Sequence, residues 1–317
     1  MTKNILIFIH GITPNSNPPD PENAQYRRLL DAVAAKDPSI LKKFDDEPIF
    51  VKWGALYGSP PPGKGHQRLD RAEEFASDRA SDDNAKKMPG NVWNRQLRLP
   101  IIAGIIDDIK YSVISKGLAD ALYYAAPDGE ELVRAEVYSQ LAREIAPLLK
   151  GKDEVRLHFV THSLGVSIGH DFAYAVFNPG QKSSFVKDHA TGSVRANFKT
   201  LQKRAKEGTL KFGSFVGMAS QLPLFIMRSQ KVVELFAAGK YLDPVDIGVT
   251  SKKEVVVKFF YDPDDLLGFP SRGLYSPNDA FCDVRVQTGQ NPATAHTDYW
   301  WNSDVADQVI ELWKRRT

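Results

Sequence analysis

The chain has 317 residues, with 41 Lys and Arg against 39 Asp and Glu, 42% hydrophobic and 25% charged residues. Such a composition can bury a full core, and a net charge of +2 spread without basic blocks gives no electrostatic reason to expect nucleic acid as a partner. A single cysteine, Cys282, rules out an internal disulfide, and no run approaches the ~18 apolar residues of a membrane span, so we expect a soluble, cytoplasmic protein with no transmembrane segment.

The first element is the run Ile5-Leu6-Ile7-Phe8-Ile9, which follows Lys3 and stops at His10-Gly11. It is too short for the h-region of about 7–15 residues in a signal peptide, and reads as a strand over Ile5–His10. A second strand is expected over Pro48–Trp53. Residues 55–127 then interrupt the pattern with a Gly/Pro-rich loop from Gly58 to Gly65, a charged helical segment and the mixed run Leu97–Ala126. Apolar residues at 102, 105, 106, 109 and 113 follow helical spacing, which suits either a cap over an active site or plain core. Asp128-Gly-Glu-Glu131 has the pattern of a capping box before a helix with Val133, Val137, Leu141 and Ile145 on one face.

Val155–Thr161 reads as a strand running into His162-Ser163-Leu164-Gly165. Gly165, Gly169 and Ala173 then recur every four residues, a stripe that lets a helix pack closely on a sheet. Residues 181–209 are polar and Lys-rich, a second departure from simple alternation. Further strands are expected at Leu210–Met218, Val255–Tyr261 and, on a weaker pattern, Ala280–Val286. Asn302 or Ser303 can cap a last helix that turns Val305, Val309, Ile310 and Trp313 inward. Continuous rather than alternating apolarity in the strands, with helices between them, predicts an α/β fold: one doubly wound, mostly parallel sheet over residues 1–317, with helical insertions at about 55–127 and 181–209.

The segment with most chemistry is the strand, Ser-x-Gly and helix at Val155–Gly165. A serine on a tight strand-to-helix turn needs small neighbours and presents its hydroxyl at the sheet edge, with a helix N-terminus to help stabilise an oxyanion. His296 lies in Thr294-Ala-His-Thr-Asp-Tyr-Trp-Trp301, after the last strand and before the last helix, where it can serve as a base. Asp262, Asp264 and Asp265 follow the strand at Val255–Tyr261 and compete for the role of acid. No metal-ligand spacing and no phosphate-binding glycine loop occurs, so we expect neither metal nor cofactor.

Thr161-His-Ser-Leu-Gly165 resembles the Gly-His-Ser-Leu-Gly elbow of α/β-hydrolase serine esterases and lipases, with Thr161 where that family usually has glycine. His10-Gly11 resembles the His-Gly that ends an early core strand there, and Met218-Ala-Ser-Gln-Leu-Pro223 is more weakly similar to a Gly-Ser-Pro that ends the strand after the elbow. The resemblance implies Ser163 as nucleophile, His296 as general base, and the backbone N–H groups of Ile12 and Leu164 as the oxyanion hole. The family's acid often precedes two or three apolar residues and a proline, which favours Asp265 over Asp264 and Asp262, since Leu266-Leu-Gly-Phe-Pro270 follows it. The implied activity is cleavage of a carboxylic ester on a small-molecule or lipid-like acyl substrate. A thioesterase, an acyltransferase or a non-catalytic interaction protein that keeps the fold are the alternatives, and the oligomeric state is not indicated.

Overall fold

The computed structural model describes residues 2–11, 21–45, 47–51, 124, 127–151, 153–178, 192–227, 229–289 and 292–317. Six strands form one sheet: β1 (Thr2–Ile9), β2 (Ile49–Val51), β3 (Glu154–His162), β4 (Leu210–Met218), β5 (Val257–Tyr261) and β6 (Phe281–Arg285). Every pairing is parallel and the spatial order is β2-β1-β3-β4-β5-β6. All six strands therefore end on the same edge. The order reverses between β1 and β3, so the crevice of this α/β sheet lies where those two strands finish.

The helices are α1 (Pro21–Lys36), α2 (Pro38–Leu41), α3 (Pro127–Leu148), α4 (Leu164–Phe177), α5 (Gly192–Lys206), α6 (Leu222–Ile226), α7 (Gln230–Ala237) and α8 (Ser303–Arg316), with a further single-turn helix over Pro292–Ala295 just before His296. They cover both faces of the sheet. Ile5, Ile7 and Ile9 of β1 point to one core, shared with Val133, Val137, Leu141 and Ile145 of α3, with α4, and with Phe198 and Leu201 of α5. Leu6 and Phe8 point to the other, shared with Leu29 and Val33 of α1 and Val305, Val309 and Trp313 of α8. The unbroken apolar run of β1 follows from this: each face needs every second residue. Each such aliphatic side chain taken out of water contributes roughly 1.5–3 kcal/mol.

The inward faces expected for α3 and α8 are those observed, and Asn302 caps α8 by accepting from the N–H groups of Asp304 and Val305. The run 192–206, inside the polar stretch, is a helix whose Phe198 and Leu201 enter the core. The cap reading of Leu97–Ala126, the insertion over most of 55–127, and the side chains of the Asp128–Glu131 box lie outside the described residues. Among the described residues no helix is long and apolar enough to cross a membrane.

Two buried histidines link this packing to pH. His158 donates from Nε2 to Asn4 Oδ1 at 3.1 Å and accepts the Ser214 hydroxyl at Nδ1, 2.9 Å away. Gly213 leaves room for its ring at a bulge opposite Leu157 and His158. Burial, helped by the charges of Arg316 and Arg156, pushes His158 down to about 3; burial and then His296 do the same to His162. Both stay neutral in the folded chain, whereas unfolding frees them to bind protons below pH 6.5. The unfolded state thus carries up to two more protons, and stability falls as pH drops from 6.5 towards 3, by up to about 2.7 kcal/mol per pH unit from this pair. Urea unfolding at pH 7, 6 and 5 should show that fall, and His158→Asn should halve the slope. A flat profile would refute neutral burial of the pair.

Candidate active site

Ser163, the residue between β3 and α4, has φ 54 and ψ −128. That conformation costs a residue with a Cβ roughly 1–3 kcal/mol and persists only where the surroundings fix it. Here they do. The Ser163 N–H donates to Met218 O of β4 at 2.8 Å, and α4 begins immediately after. The end of β1 passes against the turn so closely that a Cβ on Gly11 would lie 2.6 Å from Ser163 Cβ. A Cβ on Gly165 would lie 2.3 Å from Ile9 O and 2.5 Å from His10 O. Both glycines are needed for close approach rather than for a special φ.

Thr161, which stands where the elbow usually has glycine, fits for a local reason. Its hydroxyl donates to Val216 O at 2.9 Å, and its methyl occupies the space that Gly169 leaves on α4, where a Cβ would come within 3.0 Å of it. The Gly165–Gly169 stripe therefore seats α4 on β1 and β3. Gly165→Ala should cost about 2–3 kcal/mol, because the clash is with backbone that cannot rotate away. Thermal melting of the variant checks this, and a wild-type midpoint would mean that α4 does not sit so close.

The C-terminal ends of the strands bring distant residues together. His296 Nε2 lies 2.8 Å from Ser163 Oγ. His296 Nδ1 lies 3.0 and 3.1 Å from the two carboxylate oxygens of Asp265. Of the three candidate acids, Asp265 is the one placed on His296. Its carboxylate also accepts the Leu267 N–H and the Tyr299 hydroxyl. Burial pushes the Asp265 carboxyl up, but the hydrogen bond and charge of His296, with those two donors, outweigh it and hold the group below the usual carboxylate range.

Asp262 faces another way. It accepts from Asp264 N–H and from the Thr288 hydroxyl at 2.7 Å, and that hydroxyl also lies 2.8 Å from Ala295 O. Asp262 thus ties the end of β5 to the loop carrying His296. Asp264 is exposed.

Three residues have supporting roles that were not assigned from sequence. His162 Nε2 donates to His296 O at 2.6 Å, which pins the backbone of the histidine loop; the donor role follows because a carbonyl only accepts. Tyr299, fully buried, holds Asp265 Oδ2 at 3.0 Å while accepting the Asp262 N–H at 2.8 Å. Burial, then Asp265, raises its pKa, so the phenol remains a donor. Gly268 approaches so closely that a Cβ would lie 2.4 Å from Asp265 Oδ2.

Leu164 opens α4, so its N–H has no acceptor within the helix and points out of the helix N-terminus. Ile12, the other expected oxyanion donor, lies outside the described residues. Among the described residues no group of three or more His, Cys, Asp or Glu is placed to hold a metal ion. The arrangement can take a proton from Ser163 Oγ to His296 Nε2 and hold the resulting imidazolium against Asp265. Comparison with protein families, with curated proteins and with solved structures found no match.

Proposed function

We propose that this chain is a serine hydrolase of the α/β-hydrolase type that cleaves a carboxylic ester through an acyl-enzyme. The observation that carries the reading is the continuous line from Ser163 Oγ through His296 to Asp265, at 2.8 Å and then 3.0 Å. It stands where the strand order reverses, the place at which open α/β sheets bind ligands.

In this reading His296 Nε2 takes the Ser163 proton as Oγ attacks the ester carbonyl. The oxygen's developing negative charge is met by the Leu164 N–H and, by resemblance, that of Ile12. The tetrahedral intermediate collapses, the carbonyl–alkoxy bond breaks, and the imidazolium returns its proton to the departing alcohol. Water then repeats the sequence on the acyl-serine, releasing the acid and restoring Ser163. Asp265 keeps the proton of neutral His296 on Nδ1 and stabilises the imidazolium. No cofactor enters this scheme. With one cysteine the chain needs no oxidising compartment, and we place its activity in the cytoplasm.

A fluorophosphonate probe tests the reading directly. Labelling should add one phosphonyl group at Ser163, located by peptide mass spectrometry, and should abolish p-nitrophenyl butyrate hydrolysis in step with occupancy. An unlabelled Ser163 in the folded protein would sink it.

A further inference from the structure

His296 and Tyr299 stand close in the chain, on the segment that leads into α8, and both meet the same carboxylate. Asp265 has donors on both oxygens. The Leu267 N–H reaches Oδ1 at 2.9 Å and the Tyr299 hydroxyl reaches Oδ2 at 3.0 Å, while His296 Nδ1 lies 3.0 and 3.1 Å from the two. Tyr299 does not touch Ser163 or the proton that His296 would take from it. Its effect on the site passes through Asp265.

The direction of the phenol proton is fixed. Tyr299 Oη lies 2.8 Å from the Asp262 backbone nitrogen. That N–H can only donate, so it takes a lone pair of the phenol oxygen and leaves the single phenol proton for Asp265. Asp262 thus meets Tyr299 through its backbone, while its carboxylate is held by the Asp264 N–H and by Thr288. The space beside Asp265 Oδ2 is closed. Asp265 and Tyr299 are both buried, and a Cβ on Gly268 would lie 2.4 Å from Oδ2 and 3.1 Å from the Tyr299 hydroxyl. The remaining titratable neighbour is His162 of β3, neutral in the folded chain, whose ring lies 5.0 Å from that of His296 and 6.2 Å from that of Tyr299. A carboxylate that shares its charge with a phenol proton attracts an imidazolium less than one that does not.

We infer that Tyr299 is a positioning residue for the base: by donating to Asp265 it limits how firmly that carboxylate holds the His296 imidazolium, and so sets the pH above which His296 is free to take the Ser163 proton. The inference rests on the hydrolase reading and deepens it, since it gives the chain a fourth residue that governs when the same site works.

The test is the acid limb of kcat/KM for p-nitrophenyl butyrate, measured over the pH range in which circular dichroism shows each protein folded. Tyr299→Phe should move the midpoint of that limb upward by about 0.5–1 pH unit. Because Tyr299 is fully buried, KM should change less than about twofold. The melting temperature should fall, since the Asp262 N–H loses its acceptor. Fluorotyrosine placed at position 299 alone keeps both hydrogen bonds but offers a more acidic phenol, and should move the limb below the wild-type midpoint. It also decides the question if Tyr299→Phe does not fold. A purely structural phenol predicts lower melting with the limb unmoved. An unmoved limb in either folded variant, or a shift in the same direction in both, would overturn the positioning role and leave the hydrolase standing. A wild-type chain that neither reacts with the fluorophosphonate nor turns over the ester would instead remove the hydrolase reading, and this inference with it.

Discussion

Ser163→Ala should lower kcat for p-nitrophenyl butyrate by about 10⁶-fold, the scale of removing one member of a group that acts as a unit. Its folding should stay close to wild type. The substitution deletes one oxygen, whose neighbours are His296 Nε2 at 2.8 Å and the end of β1. It retains the Cβ, and with it the strain of φ 54. A companion variant separates chemistry from folding. Ser163→Gly also removes the nucleophile but relieves that strain, and should be more stable than Ser163→Ala by about 1 kcal/mol. Both variants should be inactive while differing in urea midpoint. Turnover within tenfold of wild type in a folded Ser163→Ala protein would show that another group does the chemistry.

Most of the strands were readable because a strand buried on both faces must be largely apolar, and such runs stand out against polar loops; the edge strand Phe281–Arg285, only partly buried and carrying Asp283 and Arg285, gave the weaker pattern. Strand limits were less readable. The second strand is described over Ile49–Val51, paired with Ile7–Ile9 of β1, and the rest of the expected Pro48–Trp53 beyond Val51 lies outside the described residues. The helix over Pro21–Lys36 carries a usable signal in Tyr26, Leu29 and Val33, spaced three and four apart, but the charge around them left the segment unassigned from sequence. The helix over Gly192–Lys206 commits only Phe198 and Leu201 to the core, so its many lysines and arginines dominate the composition.

At the site, Ser163, His296 and Asp265 were singled out by the resemblance to the hydrolase elbow, and the structure brings those three side chains together. The contacts that hold them in place were not legible in the sequence. His162 acts on a backbone carbonyl, which leaves no trace in sequence. Tyr299 reaches Asp265 only because the 3-10 turn over Asp298–Trp301 directs it there. Gly268 looks like an ordinary turn glycine until the distance to Asp265 is known.

Asp265→Asn should reduce kcat/KM by about 10⁴-fold, the scale expected when an amide replaces a carboxylate that sets the histidine tautomer. An amide NH₂ facing His296 Nδ1 would favour the proton on Nε2, where it blocks acceptance from Ser163. The geometry predicts different outcomes for the neighbouring acids. Asp264 is exposed, and Asp264→Asn should change kcat/KM less than twofold. Asp262 is buried and accepts from Asp264 N–H and from Thr288, so Asp262→Asn should cost about 1–3 kcal/mol of stability with a smaller kinetic loss. Measuring kcat/KM and urea midpoint for all three variants tests both assignments. Asp265 carries a pH signature as well. Its folded pKa lies below the ordinary 3.8, so its ionised form adds stability that is complete above that value and is lost as pH falls through the folded one. Asp265→Asn should therefore flatten the stability profile below pH 3.8 and leave the histidine-driven fall between pH 6.5 and 5 in place. If Asp262→Asn or Asp264→Asn proved the slowest enzyme, the carboxylate on His296 during turnover would not be the one that meets it in this structure.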